Sequence, residues 1–195
     1  MAIQQAYRTA VARDGHVEDE AQMQVVGALQ DLQDRLLHAA TLAGRMHRLL
    51  PGSRQSAARG IYLWGGVGRG KTFLMDLFFA SLNIEKKKRI HFHRMMREIH
   101  TRLRGLEAVA DPLDRVAASL ASEIRVLCFD EFFVSDIGDA MILGRLLRGL
   151  FDRGVVLVTT ANARPADLYR NGLQRERFLP AIDLIERQMD VIELD

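Results

Sequence analysis

Hydrophobic positions fall into two regimes along the chain. From Glu20 to Leu50 apolar residues recur at helical spacing, at Val25, Leu29, Leu32 and Leu36 and then Leu42 and Met46. This predicts one long helix, ended by Pro51-Gly52-Ser53. Residues 1 to about 18 carry weak periodicity and read as a loose arm, and the polar stretch up to Arg59 reads as a connector. Beyond Arg59, apolar runs of strand length appear at Ile61–Trp64, Ile90–His93, Val126–Phe129, Val155–Thr160 and Val191–Leu194. Helical segments separate them: Lys71–Ser81, Arg94–Leu106, Pro112–Ser122, Asp136–Phe151 and Phe178–Arg187. Asp111-Pro112 sets a capping carboxylate before a proline at the first helical position, and Gly154 marks a helix stop. Strands alternating with helices imply an α/β fold in three layers, with a mostly parallel five-stranded sheet covered on both faces. Residues 1–58 then form an arm and a helix leading into a core of residues 59–195. Ligands in such sheets sit beyond the carboxyl ends of the strands.

The polar residues that carry chemistry stand at such ends. Gly65-Gly66-Val67-Gly68-Arg69-Gly70-Lys71-Thr72 follows the first strand and opens the helix Lys71–Ser81, which fits the phosphate-binding loop G-x-x-x-x-G-K-[ST], and Phe73 beside it is expected to join the nucleotide site. Its glycines let backbone N–H groups turn toward phosphate oxygens, and the helix N-terminus adds free donors. Lys71 is expected to reach the outer phosphates of ATP, and the Thr72 hydroxyl to coordinate Mg²⁺. Val126–Phe129 ends in Asp130 and Glu131. Asp130 is placed to hold the magnesium through its water shell, and Glu131 to polarise an attacking water as general base. The chain contains no N-K-x-D guanine motif. Asn162, at the end of the next strand, is placed to orient that water. Arg175 and Arg177 precede the last helix, where an arginine reaches a neighbouring subunit's γ-phosphate if the chain forms a homo-oligomer.

Charge and composition narrow the picture further. With 27 basic and 25 acidic side chains, the net charge of +2 gives no global pull toward nucleic acid or anionic lipid. The local exception is Lys86–Arg104, with Lys86, Lys87, Lys88, Arg89, Arg94, Arg97, Arg102 and Arg104 against Glu98. Phe92 is the only aromatic among them, so a solvated or partner-facing surface is favoured over nucleic acid. His91, His93 and His100 lack a nearby cysteine or carboxylate to complete a metal set and read as core or surface residues. Cys128 is the single cysteine, which excludes an internal disulfide and fits a reducing compartment. No apolar run approaches the roughly 20 residues that span a bilayer, and the first residues hold no apolar signal core. The expected location is cytoplasmic.

Taken together, Gly65–Phe79, Arg89–Met96, the stretch Cys128–Ile137 with Asp139–Leu143, and Leu168–Arg175 with Phe178-Leu179-Pro180 resemble the AAA+ ATPases of the ZapE type. Asp19 and Gln22 fit that family's acidic-x-x-glutamine entry element. The resemblance implies an AAA+ ATPase linked to bacterial cell division and acting on the FtsZ ring, or to mitochondrial protein quality control. The absence of a transit segment favours the bacterial version. By matching position it assigns Lys71 and Thr72 to Walker A, Asp130 and Glu131 to Walker B, Asn162 to sensor 1 and Arg175 to the finger. Family members continue into a helical lid bearing sensor 2, whereas the sequence stops at Asp195, which reads as a C-terminal truncation. Two other readings stay open: a DNA-associated P-loop ATPase such as a helicase loader, and a nucleotide-binding fragment without turnover.

Overall fold

The strand sequences sort themselves into centre and edge. Val126–Asp130 (β3) and Val156–Ala161 (β4) are buried along their whole lengths, and Gly60–Trp64 (β1) nearly so. Such unbroken apolar runs suit central strands of a parallel sheet covered on both sides. Lys87–His91 (β2) and Met189–Glu193 (β5) alternate with charge and form the two edges. A computed structural model of the chain describes residues 2–13, 15, 17–40, 58–106 and 110–195. Its five-stranded sheet has the order β2-β3-β4-β1-β5, and every described pairing is parallel. Strand β4 lies between β1 and β3, so the loops leaving those three strands open at one edge of the sheet.

Seven α-helices are described: Ile3–Arg13 (α1), Glu20–Ala40 (α2), Lys71–Ser81 (α3), Phe92–Arg104 (α4), Pro112–Glu123 (α5), Ile137–Asp152 (α6) and Leu179–Gln188 (α7). Within each strand, alternate residues serve opposite layers. Ile61, Leu63, Val126 and Cys128 pack with α1, α2 and α3, whereas Tyr62, Leu127 and Phe129 pack with α4 to α7. The result is three layers with two apolar cores. The described residues contain no helix long and apolar enough to cross a membrane.

Local signals hold at most boundaries. The Asp111 carboxylate accepts from the Asp114 N–H at the start of α5, and the Asp136 carboxylate accepts from the Gly138 and Asp139 N–H groups at the start of α6. Three readings need correction. Residues 3–13 are not a loose arm: α1 is a helix that buries Ile3, Tyr7 and Val11, spaced four apart so as to form one narrow stripe. Strand β2 begins at Lys87 and ends at His91, so the helix starts at Phe92 and the expected Ile90–His93 strand is shifted. The last strand begins at Met189 rather than Val191, because its pairing with β1 starts where Met189 meets Gly60. The expected helix positions Leu42 and Met46 and its stop at Pro51-Gly52-Ser53 lie outside the described residues.

Candidate nucleotide site

Strand β1 runs straight into the loop Gly65–Gly70, and α3 begins at Lys71. Two glycines are required by the packing. A Cβ on Gly65, at φ +151°, would lie 2.1 Å from the Leu194 carbonyl oxygen. Gly70, at φ +90°, occupies the left-handed region, and a Cβ there would meet the Gln22 amide at 2.8 Å. Gly66, Val67, Gly68 and Arg69 face solvent, so the loop presents its backbone outward. The Lys71 side chain is buried and donates to the Gly65 and Gly66 carbonyl oxygens at 2.7 and 2.6 Å. Burial pushes its ammonium below the ordinary lysine range. Phe73 stands half-buried with its ring 6.3 Å from that of Tyr7.

The second motif meets the first through one carboxylate. Thr72 Oγ1 donates to Asp130 Oδ1 at 3.1 Å, joining residues 58 positions apart. Thr160 Oγ1 donates to the same oxygen at 2.8 Å, and Arg89 Nη2 to Asp130 Oδ2 at 3.0 Å. Arg89 Nε lies 2.6 Å from Asp76 Oδ1. Burial pushes the Asp76 carboxyl up, Arg89 works against that, and Asp130 adds to it. A hydroxyl beside a carboxylate is a hard-oxygen donor set of the kind Mg²⁺ takes.

Glu131 is aimed by its backbone. At φ 54° it is a non-glycine residue in the left-handed region, a conformation costing about 1 kcal/mol or more unless its surroundings hold it. Its N–H donates to Thr160 Oγ1 at 3.2 Å, which fixes that peptide, and its side chain is 77% exposed. The single Thr160 hydroxyl thus binds both acidic residues of the motif.

Asn162 leaves β4 exposed and borders the same cleft of about 910 Å³ as Glu131, together with His93, His100 and Tyr169. The Tyr62 hydroxyl donates to the next carbonyl, Ala163, at 2.8 Å and pins this turn. The structure therefore brings Lys71, Thr72, Asp130, Glu131 and Asn162 to one edge of the sheet. Arg175 stands apart: Nη2 donates to the Ala166 carbonyl of its own chain at 2.7 Å, and Nε is buried without a hydrogen-bond partner. Arg177 is exposed.

Several residues around the site were not singled out for a role by motif. Thr160 could have been found as one of two adjacent hydroxyl residues, with Thr159, in an otherwise apolar buried strand. Arg89 carries a weaker signal, a charge one residue before the expected second strand. Gln22 reaches in from α2, where Nε2 donates to the Arg69 carbonyl at 3.1 Å. The Tyr7 hydroxyl donates to Gln22 Oε1 at 3.1 Å and accepts from the Asp19 N–H at 3.2 Å. These N-terminal residues thus brace the loop from outside; the Asp19-x-x-Gln22 element marks them in the sequence without announcing this contact.

Comparison with known proteins agrees with this geometry. The profile of the family described as AFG1-like ATPase matches residues 1–195. Cell division protein ZapE of Escherichia coli K12 is 47% identical over 199 aligned residues, covering 97% of this chain and 53% of ZapE. The chain thus spans about half the length of that relative. Among solved structures, AMPPCP-bound DnaA from Aquifex aeolicus superimposes with a TM-score of 0.61 at 11% identity, over 93% of this chain and 49% of DnaA. The DnaC helicase loader gives 0.57 at 12%, over 92% and 93%. Likeness at such identities shows the fold alone, a parallel sheet with flanking helices of the P-loop NTPase kind. The chain belongs to the AFG1-like ATPase family, the family of ZapE.

Proposed function

We propose that the chain binds Mg·ATP at Gly65–Phe73 and hydrolyses it as part of an AAA+ ATPase acting on the FtsZ ring in bacterial cell division. The observation that carries the nucleotide reading is the Thr72–Asp130 hydrogen bond of 3.1 Å, which joins the loop and the acidic strand end on one side of the phosphate cradle. In this reading, the Lys71 ammonium leaves the Gly65 and Gly66 carbonyls to bind β- and γ-phosphate oxygens, and the loop N–H groups bind the remainder. Thr72 and Asp130 hold the metal side; magnesium, when bound, neutralises the charge on the phosphate oxygens. Glu131 accepts a proton from water as its oxygen attacks the γ-phosphorus, and the bond from that phosphorus to the β–γ bridging oxygen breaks. ADP and inorganic phosphate leave. Asn162, across the cleft from Glu131, orients the same water.

Arg175 supplies positive charge in trans in a homo-oligomer, which requires its guanidinium to turn away from the Ala166 carbonyl. Exposed Arg177 is the control position. Phosphate release per subunit that rises with protein concentration and falls in Arg175→Ala, but not in Arg177→Ala, supports the finger. The cell-division role rests on likeness to ZapE; co-sedimentation with FtsZ polymers in Mg·ATP tests it, and no co-sedimentation argues against it.

Glu131→Gln decides the hydrolytic role. Calorimetry with Mg·ATP should show binding close to that of the parent chain, while phosphate release stops. Continued turnover in that variant rules out Glu131 as the base, and no heat with the parent chain rules out the site.

The DNA-binding alternative rested on the basic stretch, and much of that charge is spoken for. Lys86 donates to the Ser122 carbonyl, Lys87 to the Phe79 and Leu82 carbonyls, and Lys88 pairs with Glu98 at 2.7 Å. Arg89 serves Asp130 and Asp76. These contacts support a structural role for the stretch.

A further inference from the structure

Arg89 occupies an unusual place for a charged strand residue. It lies on edge strand β2, opposite Cys128 and two pairs before the His91–Asp130 register position. Its side chain reaches past the end of β3 and is only 28% exposed. Two carboxylates converge on it. One is Asp130, 4% exposed as a side chain, and the other is Asp76, one helical turn beyond Thr72 and on the same face of α3. Arg89 Nη2 donates a hydrogen bond to Asp130, whereas Nε makes a charge contact with Asp76 at 2.6 Å that lacks hydrogen-bond geometry. The permanent positive charge of the guanidinium lies between the two carboxylates and balances one of them.

Without Arg89, the Thr72 hydroxyl would stand beside two facing carboxylates. Such an oxygen set with two negative charges attracts a divalent cation regardless of nucleotide. With Arg89 in place, one of those charges is cancelled and Asp130 Oδ2 is taken. Only Oδ1, on the Thr72 and Thr160 side, remains turned toward the phosphate cradle. His91 is the other basic group facing this carboxylate, at 3.9 Å from Asp130 Oδ2.

We infer that Arg89 is a positioning residue for the metal: it fills the cation seat between Asp76 and Asp130, so a divalent ion enters with ATP and not alone. The inference rests on the assignment of Thr72 and Asp130 to the metal side of the site. It makes the triphosphate the missing part of the metal's ligand set. Metal occupancy then follows nucleotide occupancy.

The test is Mn²⁺ titration of the nucleotide-free chain, read by loss of the free-ion electron paramagnetic resonance signal. The parent chain should bind Mn²⁺ weakly. Arg89→Met should bind it about tenfold tighter or more, the effect of removing one charge a few ångströms from a divalent ion. Arg89→Lys keeps a cation near Asp130 and should stay within about threefold of the parent. Asp76→Asn added to Arg89→Met should abolish the gain. A merely structural role would shift the melting of Arg89→Met without raising its Mn²⁺ affinity, and unchanged affinity in folded protein overturns the inference. So does an equal gain in Arg89→Lys. Arg89→Gln, which is neutral and polar though shorter, reads the same quantity should the methionine variant fail to fold. Calorimetry of the parent chain with Mg·AMPPCP separates this outcome from the site itself. Binding there with no Mn²⁺ gain in the variants sinks only the Arg89 role, whereas no binding there sinks the site whatever the variants show.

Discussion

Replacing Thr160 by valine removes one hydroxyl and leaves the side chain's shape almost unchanged. That hydroxyl donates to Asp130 Oδ1 at 2.8 Å and accepts the Glu131 N–H at 3.2 Å, and Thr160 and Asp130 are themselves nearly inaccessible to water. A hydrogen bond to a charged acceptor contributes about 1.5–3 kcal/mol and a neutral one about 0.5–1.5. Valine recovers part of this, about 0.5–1 kcal/mol, through its extra buried methyl. Asp130 keeps Thr72 and Arg89, so no charge is left unpartnered. The net loss is about 1–4 kcal/mol, or about 2–16 °C in Tm for a chain of this size. Urea unfolding followed by circular dichroism measures it. The neighbouring residue is the control: Thr159 is equally buried, and its hydroxyl makes only a 3.5 Å contact with the Thr160 carbonyl. Thr159→Val should therefore cost less than about 1 kcal/mol. The site should report the difference too, since the Glu131 peptide loses what holds it in the left-handed region. Turnover should fall by about tenfold or more, as misplacement of a reacting group does, with Mg·ATP affinity nearly unchanged. Equal costs for the two valine variants, or unaltered turnover in Thr160→Val, would refute the reasoning.

Other consequences are open to direct measurement. Lys71→Ala should reduce Mg·ATP binding by at least about a hundredfold in calorimetry, because the loop loses its one buried cation at the outer phosphates. Gly65→Ala pushes a methyl to 2.1 Å from the Leu194 carbonyl and should destabilise the fold by more than about 3 kcal/mol, seen as insoluble expression or a collapsed melting transition. Cys128 is fully buried and its thiol is pushed up to about 12, chiefly by desolvation, from an ordinary 9.0. A thiol reagent at pH 8 should find no reactive group in the native chain and one after denaturation. The unfolded chain ionises this thiol above about 9 and the folded one near 12, so this residue's contribution to stability is full below 9 and declines as pH rises between those values.

Legibility from sequence depended on how local each requirement was. The phosphate loop is a contiguous run because glycine conformations, lysine and threonine must follow one another around one ligand. Asp130 and Glu131 were legible because a buried strand that ends in two acids is itself a local contrast. The helix cap at Asp111 was readable for the same reason. Helix α1 was missed because its buried stripe is Ile3, Ala6, Tyr7 and Val11, too thin to stand out before its partner surface is known. The second and fifth strands drifted by two or three residues at their starts because edge strands carry charge, and their limits are set by the neighbour they pair with.

The sequence by itself therefore determined the alternation of strands and helices, the phosphate loop and the acidic strand end, all of which are stated within a few neighbouring residues. Only the tertiary structure decided the strand order, since an apolar run reads alike beside any neighbour. It also decided that Thr160 joins the two acids, that Arg89 sits between Asp76 and Asp130, that Gln22 braces the loop, and that Lys86 to Lys88 are tied to their own chain. Those are contacts between positions far apart in sequence, and a side chain's partner is fixed by which surfaces the packed core brings together, not by its own neighbours in the chain.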